Sequence, residues 1–180
     1  MATLWHSIDI LTVFDYLLIV YLIPRLTTLE TLEMPQNGIH TKGIEAICKA
    51  VEANKGLKNL NLNDNNLKIA ANSVANALKT LKSIETINFG DCLLKRTGCV
   101  AICDAIIESD VFNIKEINLS GNEIGGEEAI EALIRCSLKI AESSESNDKL
   151  KLELSSNNFG ESGVERLNDS LSEKIDLIIE

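Results

Sequence analysis

Histidine is almost missing from this chain of 180 residues, and its two copies, His6 and His40, sit in unrelated surroundings. No Ser/His/Asp set, no C-x-x-C pair and no glycine-rich phosphate loop can be assembled; Gly121 to Gly126, GNEIGG, reads as a turn. A self-contained active site therefore has no visible parts, and the reading includes no cofactor and no metal. Aromatic residues are only 4% against 45% hydrophobic, so the core is expected to be aliphatic. Positive charge is short as well, with 17 Lys and Arg against 27 Asp and Glu and a net charge of −10. That balance argues against nucleic acid or an anionic membrane as partner and favours a protein with a basic face. The five cysteines (Cys48, Cys92, Cys99, Cys103, Cys136) are an odd number without framework spacing, which reads as small buried residues in a reducing, cytoplasmic setting.

Long hydrophobic runs are also lacking. Ile10 to Ile23 is mostly apolar but is interrupted by Asp15 and has 14 residues, where a spanning helix needs roughly 20. The start has no Lys or Arg, so a secretory signal is poorly supported. Three readings of residues 1–25 stay open: a hydrophobic cap over an open end, the start of a truncated chain, or a short membrane anchor. Pro24 is expected to end any helix there near Ile23.

What is present is a repeated phrase. Leu57 to Leu67, LKNLNLNDNNL, has the form L-x-x-L-x-L-x-x-N-x-L, the signature of a leucine-rich repeat. It recurs as LETLEMPQNGI (29–39), IETINFGDCLL (84–94), IKEINLSGNEI (114–124) and KLKLELSSNNF (149–159). On an extended chain Leu60 and Leu62 point one way and Asn59, Asn61 and Asn63 the other. Each phrase is punctuated by Asn37, Asn65, Cys92, Asn122 or Asn157, spaced by 28, 27, 30 and 35 residues. An asparagine amide at such a corner can bond backbone groups released by the strand. The spacing leaves room for a helix in each unit, and residues such as Ile44, Ile47 and Val51 recur at helical intervals.

One strand and one helix cannot bury their apolar faces alone, so the units are expected to stack. The predicted fold is α/β, a leucine-rich repeat solenoid with parallel strands on the concave face and helices on the convex face. Residues 1–25 form a separate hydrophobic segment, and 26–180 form a domain of about five repeats. Stacking puts Glu33, Asn61, Asn88, Asn118 and Glu153 in one inner row, with Asn63 in a second and Asp64 and Asp91 on the loop rim. Of these, Glu33, Asn61, Asn63, Asp64, Asn88, Asp91 and Asn118 are the candidate partner-binding residues. The strand Leu29 to Met34 is expected to be an open sheet edge that invites pairing. The last residues, KIDLIIE, read as a short terminal strand or a cap.

MPQNGI (34–39), NLNDN (61–65), ALKTL (77–81) and INFGDCL (87–93) resemble the leucine-rich domain of Ran GTPase-activating proteins, as do KEINLS and VAICDAI. The resemblance runs from about Leu29 to Leu171 and concerns the C-terminal half of that domain. It implies a crescent of ribonuclease-inhibitor type that binds a Ran-type small GTPase in its GTP-bound form and accelerates hydrolysis. Such a protein regulates an enzyme rather than being one, in the cytoplasm and at the nuclear envelope. In that family an asparagine, not an arginine finger, sets the GTPase machinery; it lies in earlier repeats, so no catalytic residue is carried over.

Overall fold

The computed structural model describes residues 2–5, 20–109, 113–143, 148–171, 173 and 175–180, the first four as backbone. Seven strands form one parallel sheet in chain order: β1 (Ala2–Trp5), β2 (Leu29–Glu33), β3 (Asn59–Asn61), β4 (Thr86–Asn88), β5 (Glu116–Asn118), β6 (Leu150–Glu153) and β7 (Ile175–Ile178). Helices follow β2 to β6: α1 (Thr41–Val51), α2 (Ala71–Leu78), α3 (Lys95–Ser109), α4 (Glu127–Ser143) and α5 (Gly160–Leu171). The chain is a leucine-rich repeat solenoid, with strands lining the concave face and helices the convex one.

Strand register follows from the repeated phrase. Leu32, Leu60, Ile87, Ile117 and Leu152 pair in sequence across the sheet, and each is buried. Two residues on, Met34, Leu62, Phe89, Leu119 and Leu154 make a second buried rung. Beyond the turn Ile39, Leu67, Leu94, Ile124 and Phe159 make a third. Fully burying one such side chain contributes roughly 1.5–3 kcal/mol, and each rung rests on the next, so the core is continuous. The helices close it from outside. In α1 the buried residues Ile44, Ile47, Cys48 and Val51 sit at intervals of three and four. In α4, Glu127 and Glu128 occupy the first turn, where carboxylates favour the helix dipole.

One feature of the ends differs from expectation, and one takes the first of two expected forms. Strand β2 is not a free edge: β1 lies parallel beside it, with Leu4 opposite Leu32 and Trp5 opposite Glu33. A stretch unlike the repeat can supply that strand because parallel pairing uses backbone groups alone. At the other end KIDLIIE resolves as the strand β7, with Leu152 opposite Leu177. Residues 6–19, which hold most of the apolar stretch read as a cap or anchor, lie outside the described residues. So do residues 144–147 of the polar loop before β6. Among the described residues no helix is long and apolar enough to cross a membrane.

Backbone of one repeat comes close to backbone of the next at Gly125. A Cβ there would lie 2.3 Å from the Asn158 carbonyl oxygen, and the Asn158 N–H donates to Ile124 O at 2.6 Å. Backbone cannot swing aside as a side-chain tip can. Gly125→Ala should therefore destabilise the fold by about 1–3 kcal/mol, read as a lowered midpoint in urea unfolding; an unchanged midpoint would refute this account of the contact.

Candidate functional site

The site is built on the strand ends. The parallel ladder continues past each strand: Met34 N–H donates to Asn61 O (2.9 Å), Leu62 to Asn88 O (2.9 Å), Phe89 to Asn118 O (3.0 Å) and Leu119 to Glu153 O (2.9 Å). The chain then turns through a left-handed residue just before the punctuating position: Gln36, Asp64, Asp91, Gly121 and Ser156, with φ between 53° and 65°. Asp tolerates that conformation better than most residues, which accounts for two of them.

The punctuating residues stack directly over one another. Asn122 Nδ2 donates to Phe89 O (2.7 Å) in the preceding repeat and to Leu119 O (3.0 Å) and Ser120 O (2.9 Å) in its own; its Oδ1 accepts from Cys92 N–H (3.0 Å) and Leu94 N–H (3.1 Å). Asn157 repeats the pattern toward Leu119 O, Asn122 N–H and Ile124 N–H. Asn65 does so toward Met34 O and Ile39 N–H. Asn37 is fully buried and donates to Pro35 O at 2.7 Å. Cys92 fills only half the role. Its thiol lies 3.2 Å from both Leu62 O and Gly90 O, but it has no amide oxygen, and Leu67 N–H turns instead to the Cys92 backbone carbonyl at 3.1 Å.

The inner rows lie where period two puts them. Glu33, Asn61, Asn88, Asn118 and Glu153 pair in register and are half-buried; Asp64 and Asp91 are exposed on the rim. Each row amide is partly occupied. Asn61 Oδ1 accepts from Asn63 N–H (3.0 Å), Asn88 Oδ1 from Gly90 N–H (3.1 Å) and Asn118 Oδ1 from Ser120 N–H (2.9 Å). These are Asx-type turns, and they hold the amide planes fixed. Asn63 Nδ2 donates to Gly90 O at 2.9 Å, so that side chain bridges two repeats. Asp91 reaches over the next turn: a Cβ on Gly121 would fall 2.0 Å from its Oδ1, and glycine leaves that space open.

Charge is unevenly cancelled: Lys151–Glu116 lies on this face, and the lysines of two further pairs, Lys58 and Lys115, stand one residue before their strands. Lys58 pairs with Glu30 (3.2 Å), Lys115 with Glu85 (2.6 Å) and Lys151 with Glu116 (2.8 Å). The bonded carboxylates hold Lys115 and Lys151 above their ordinary range. Glu33, Asp64, Asp91 and Glu153 have no ion pair among the described residues. Sequence reasoning placed Asn59 on this face without making it a candidate, and overlooked Thr86 and Glu116, which share it. The signal was present, since residues two apart on a strand point the same way.

The cysteines are all buried and free. Burial pushes the thiols of Cys48 and Cys92 up to about 12. Folding also brings Cys136 of α4 to Cys103 of α3, a contact that spacing could not disclose. Hydrogen bonding to Cys103, then burial, raises Cys99 and Cys136 well above the usual thiol range. Among the described residues no group of three or more His, Cys, Asp or Glu is arranged to hold a metal ion.

The "Leucine Rich repeat" family model matches residues 25–48, 112–129 and 146–167. It is 27% identical to the ribonuclease inhibitor of Sus scrofa over 169 residues, 81% of this chain and 37% of that protein. The Mus musculus ribonuclease inhibitor matches at 28% over 170 residues, again 81% of this chain and 37% of the relative. RAN GTPase-activating protein 2 of Arabidopsis thaliana is 32% identical over 107 residues, 58% of this chain and 19% of that protein. The chain thus spans well under half the length of the curated relatives it matches. These names describe proteins that inhibit a ribonuclease or activate a GTPase.

Two outcomes follow from the ladder. Asn122→Ala strands buried carbonyls and N–H groups on two repeats and should cost about 3 kcal/mol or more. Cys92→Asn supplies the missing amide oxygen to Leu67 N–H and should leave stability unchanged or raise it by about 1 kcal/mol. Chemical denaturation measures both, and a strongly destabilised Cys92→Asn would contradict the account of that rung. The thiols give a pH dependence. A folded pKa raised from an ordinary 9.0 to about 12 means the unfolded thiol loses its proton first. Stability from these groups is whole below pH 9.0 and falls between there and about 12. Replacing Cys48 and Cys92 with Ala should flatten that alkaline slope in unfolding titrations.

Proposed function

We propose that the inner sheet face and its rim dock a basic protein, and that this partner is a Ran-type small GTPase in its GTP-bound form. Glu33, Asn61, Asn63, Asp64, Asn88, Asp91 and Asn118 are the residues assigned to the contact. The observation that carries this reading is that Lys151, the lysine in register on this face, is bonded to Glu116, while Glu33, Asp64 and Asp91 have no ion pair among the described residues. A face of that kind steers a basic partner and repels an acidic one. Choosing Ran rests on the motif resemblance and on the match to an Arabidopsis thaliana RAN GTPase-activating protein. The chain regulates GTP hydrolysis, in the cytoplasm and at the nuclear envelope, by binding and not through an active site of its own.

A second reading has its own support. The ribonuclease inhibitor matches cover 81% of the chain against 58% for the GTPase activator. On that reading the same face docks another basic protein, ribonuclease among them, without touching GTP hydrolysis.

Single-turnover GTP hydrolysis by Ran, with and without the chain, together with direct binding of Ran·GTP, separates the two. Saturable binding that weakens with salt supports the first reading, and faster hydrolysis adds catalysis to it. Binding of ribonuclease with none of Ran favours the second. Asp64→Lys with Asp91→Lys should weaken the contact by about tenfold, because two attractive exposed charges become repulsive; an unaltered affinity would remove the rim from the interface.

A further inference from the structure

The inner face is not smooth. A hollow of about 160 Å³ opens on it between β2 and β5, walled by Glu33, Asn59, Asn61, Thr86, Asn88 and Glu116. We propose that this hollow receives the guanidinium group of an arginine presented by the docked protein. The inference rests on reading this face as the docking surface for a basic partner, and it names the group that enters.

Register explains the shape. Asn59, Thr86 and Glu116 stand at the first position of their strands and Asn61 and Asn88 at the third, in register with Glu33, the last residue of β2. The residues between them, Leu60 and Ile87, turn into the core and leave only backbone as the floor. The two rows therefore bound a trough, and the short Thr86 and Asn59 side chains leave it unfilled.

Its chemistry is that of an acceptor site. Asn59 Nδ2 is spent on Thr31 Oγ1 at 3.0 Å, which leaves Asn59 Oδ1 aimed away with no intramolecular donor among the described residues. The Asn61 and Asn88 oxygens each take one backbone N–H and keep a lone pair. Glu33 carries a full charge with no cation beside it, and Glu116 adds a second carboxylate that shares its charge with Lys151. No lysine or arginine lines the hollow.

Size and geometry select arginine. A space of about 160 Å³ takes the end of one side chain and is too small for a helix. The acceptors are spread along two rows, not gathered at a point. A planar guanidinium with five donors reaches several of them at once; an ammonium is compact, strongly hydrated and suited to one. The Asn61 and Asn88 Nδ2 groups remain as donors for a main-chain carbonyl beside that arginine.

The test uses the full chain labelled with nitrogen-15, whose asparagine side-chain amides give their own signals. N-acetylarginine methylamide is titrated against the citrulline analogue, a neutral isostere, and the lysine analogue. Saturable shifts of the Asn59, Asn61 and Asn88 side-chain signals are expected with arginine, weaker ones with lysine and none with citrulline. Glu33→Gln should weaken the arginine response by up to about fivefold, the range for one exposed charge pair. Equal shifts with arginine and citrulline, or arginine shifts that bypass these three amides, overturn the proposal. Binding of Ran·GTP and of ribonuclease to Glu33→Gln is measured alongside. If either binds as it does the unaltered chain, the docking surface stands and the arginine hollow falls.

Discussion

Parallel strands three residues long cannot hold a chain in a stack by themselves, because most of the backbone in each repeat is turn. The constraint that makes the stack possible is the corner residue, an asparagine at Asn37, Asn65, Asn122 and Asn157 and a cysteine at Cys92. The Asn122 amide donates to one carbonyl of the preceding repeat and to carbonyls of its own, and accepts N–H groups from the preceding turn. Every buried backbone group released by the bend thus finds a partner, and the partner belongs to two repeats at once. Removing one such residue uncouples modules, where removing a leucine only thins the core.

The surface follows from that coupling. Once the corners are superposed, the strands must run in register, and equivalent side chains form straight rows across the concave face. Rows make charge visible at long range, because like positions in successive repeats stand side by side. Lys151 of this face is held by Glu116 one strand away, while Glu33, Asp64 and Asp91 have no ion pair among the described residues. The same register that builds the core also leaves a trough where short polar residues coincide on adjacent strands.

How much of this was legible depends on distance along the chain. The Leu60 and Leu62 alternation, the helix spacing of Ile44, Ile47 and Val51, and the recurrence of the corner residue are local periodicities, readable without coordinates. The paired glutamate of Lys151 was not, since Glu116 lies 35 residues away. Neither was the meeting of Cys103 with Cys136, which depends on how α3 and α4 are rotated against each other. Strand β1 was missed because its place in the sheet needs no repeat signature, only a backbone able to pair.

The sequence by itself determined the module: which residues face in, which face out, and where the chain turns, because a two-residue alternation and a corner amide act within a few residues. Only the tertiary structure decided what each polar side chain has left to offer. The oxygens of Asn61 and Asn88 are bonded to the turn beside them, while Asn59 Oδ1 has no donor among the described residues. The first two bonds are local, but the Asn59 bond to Thr31 and the Lys58–Glu30 and Lys115–Glu85 pairs join residues 28 to 30 positions apart, which no local pattern encodes.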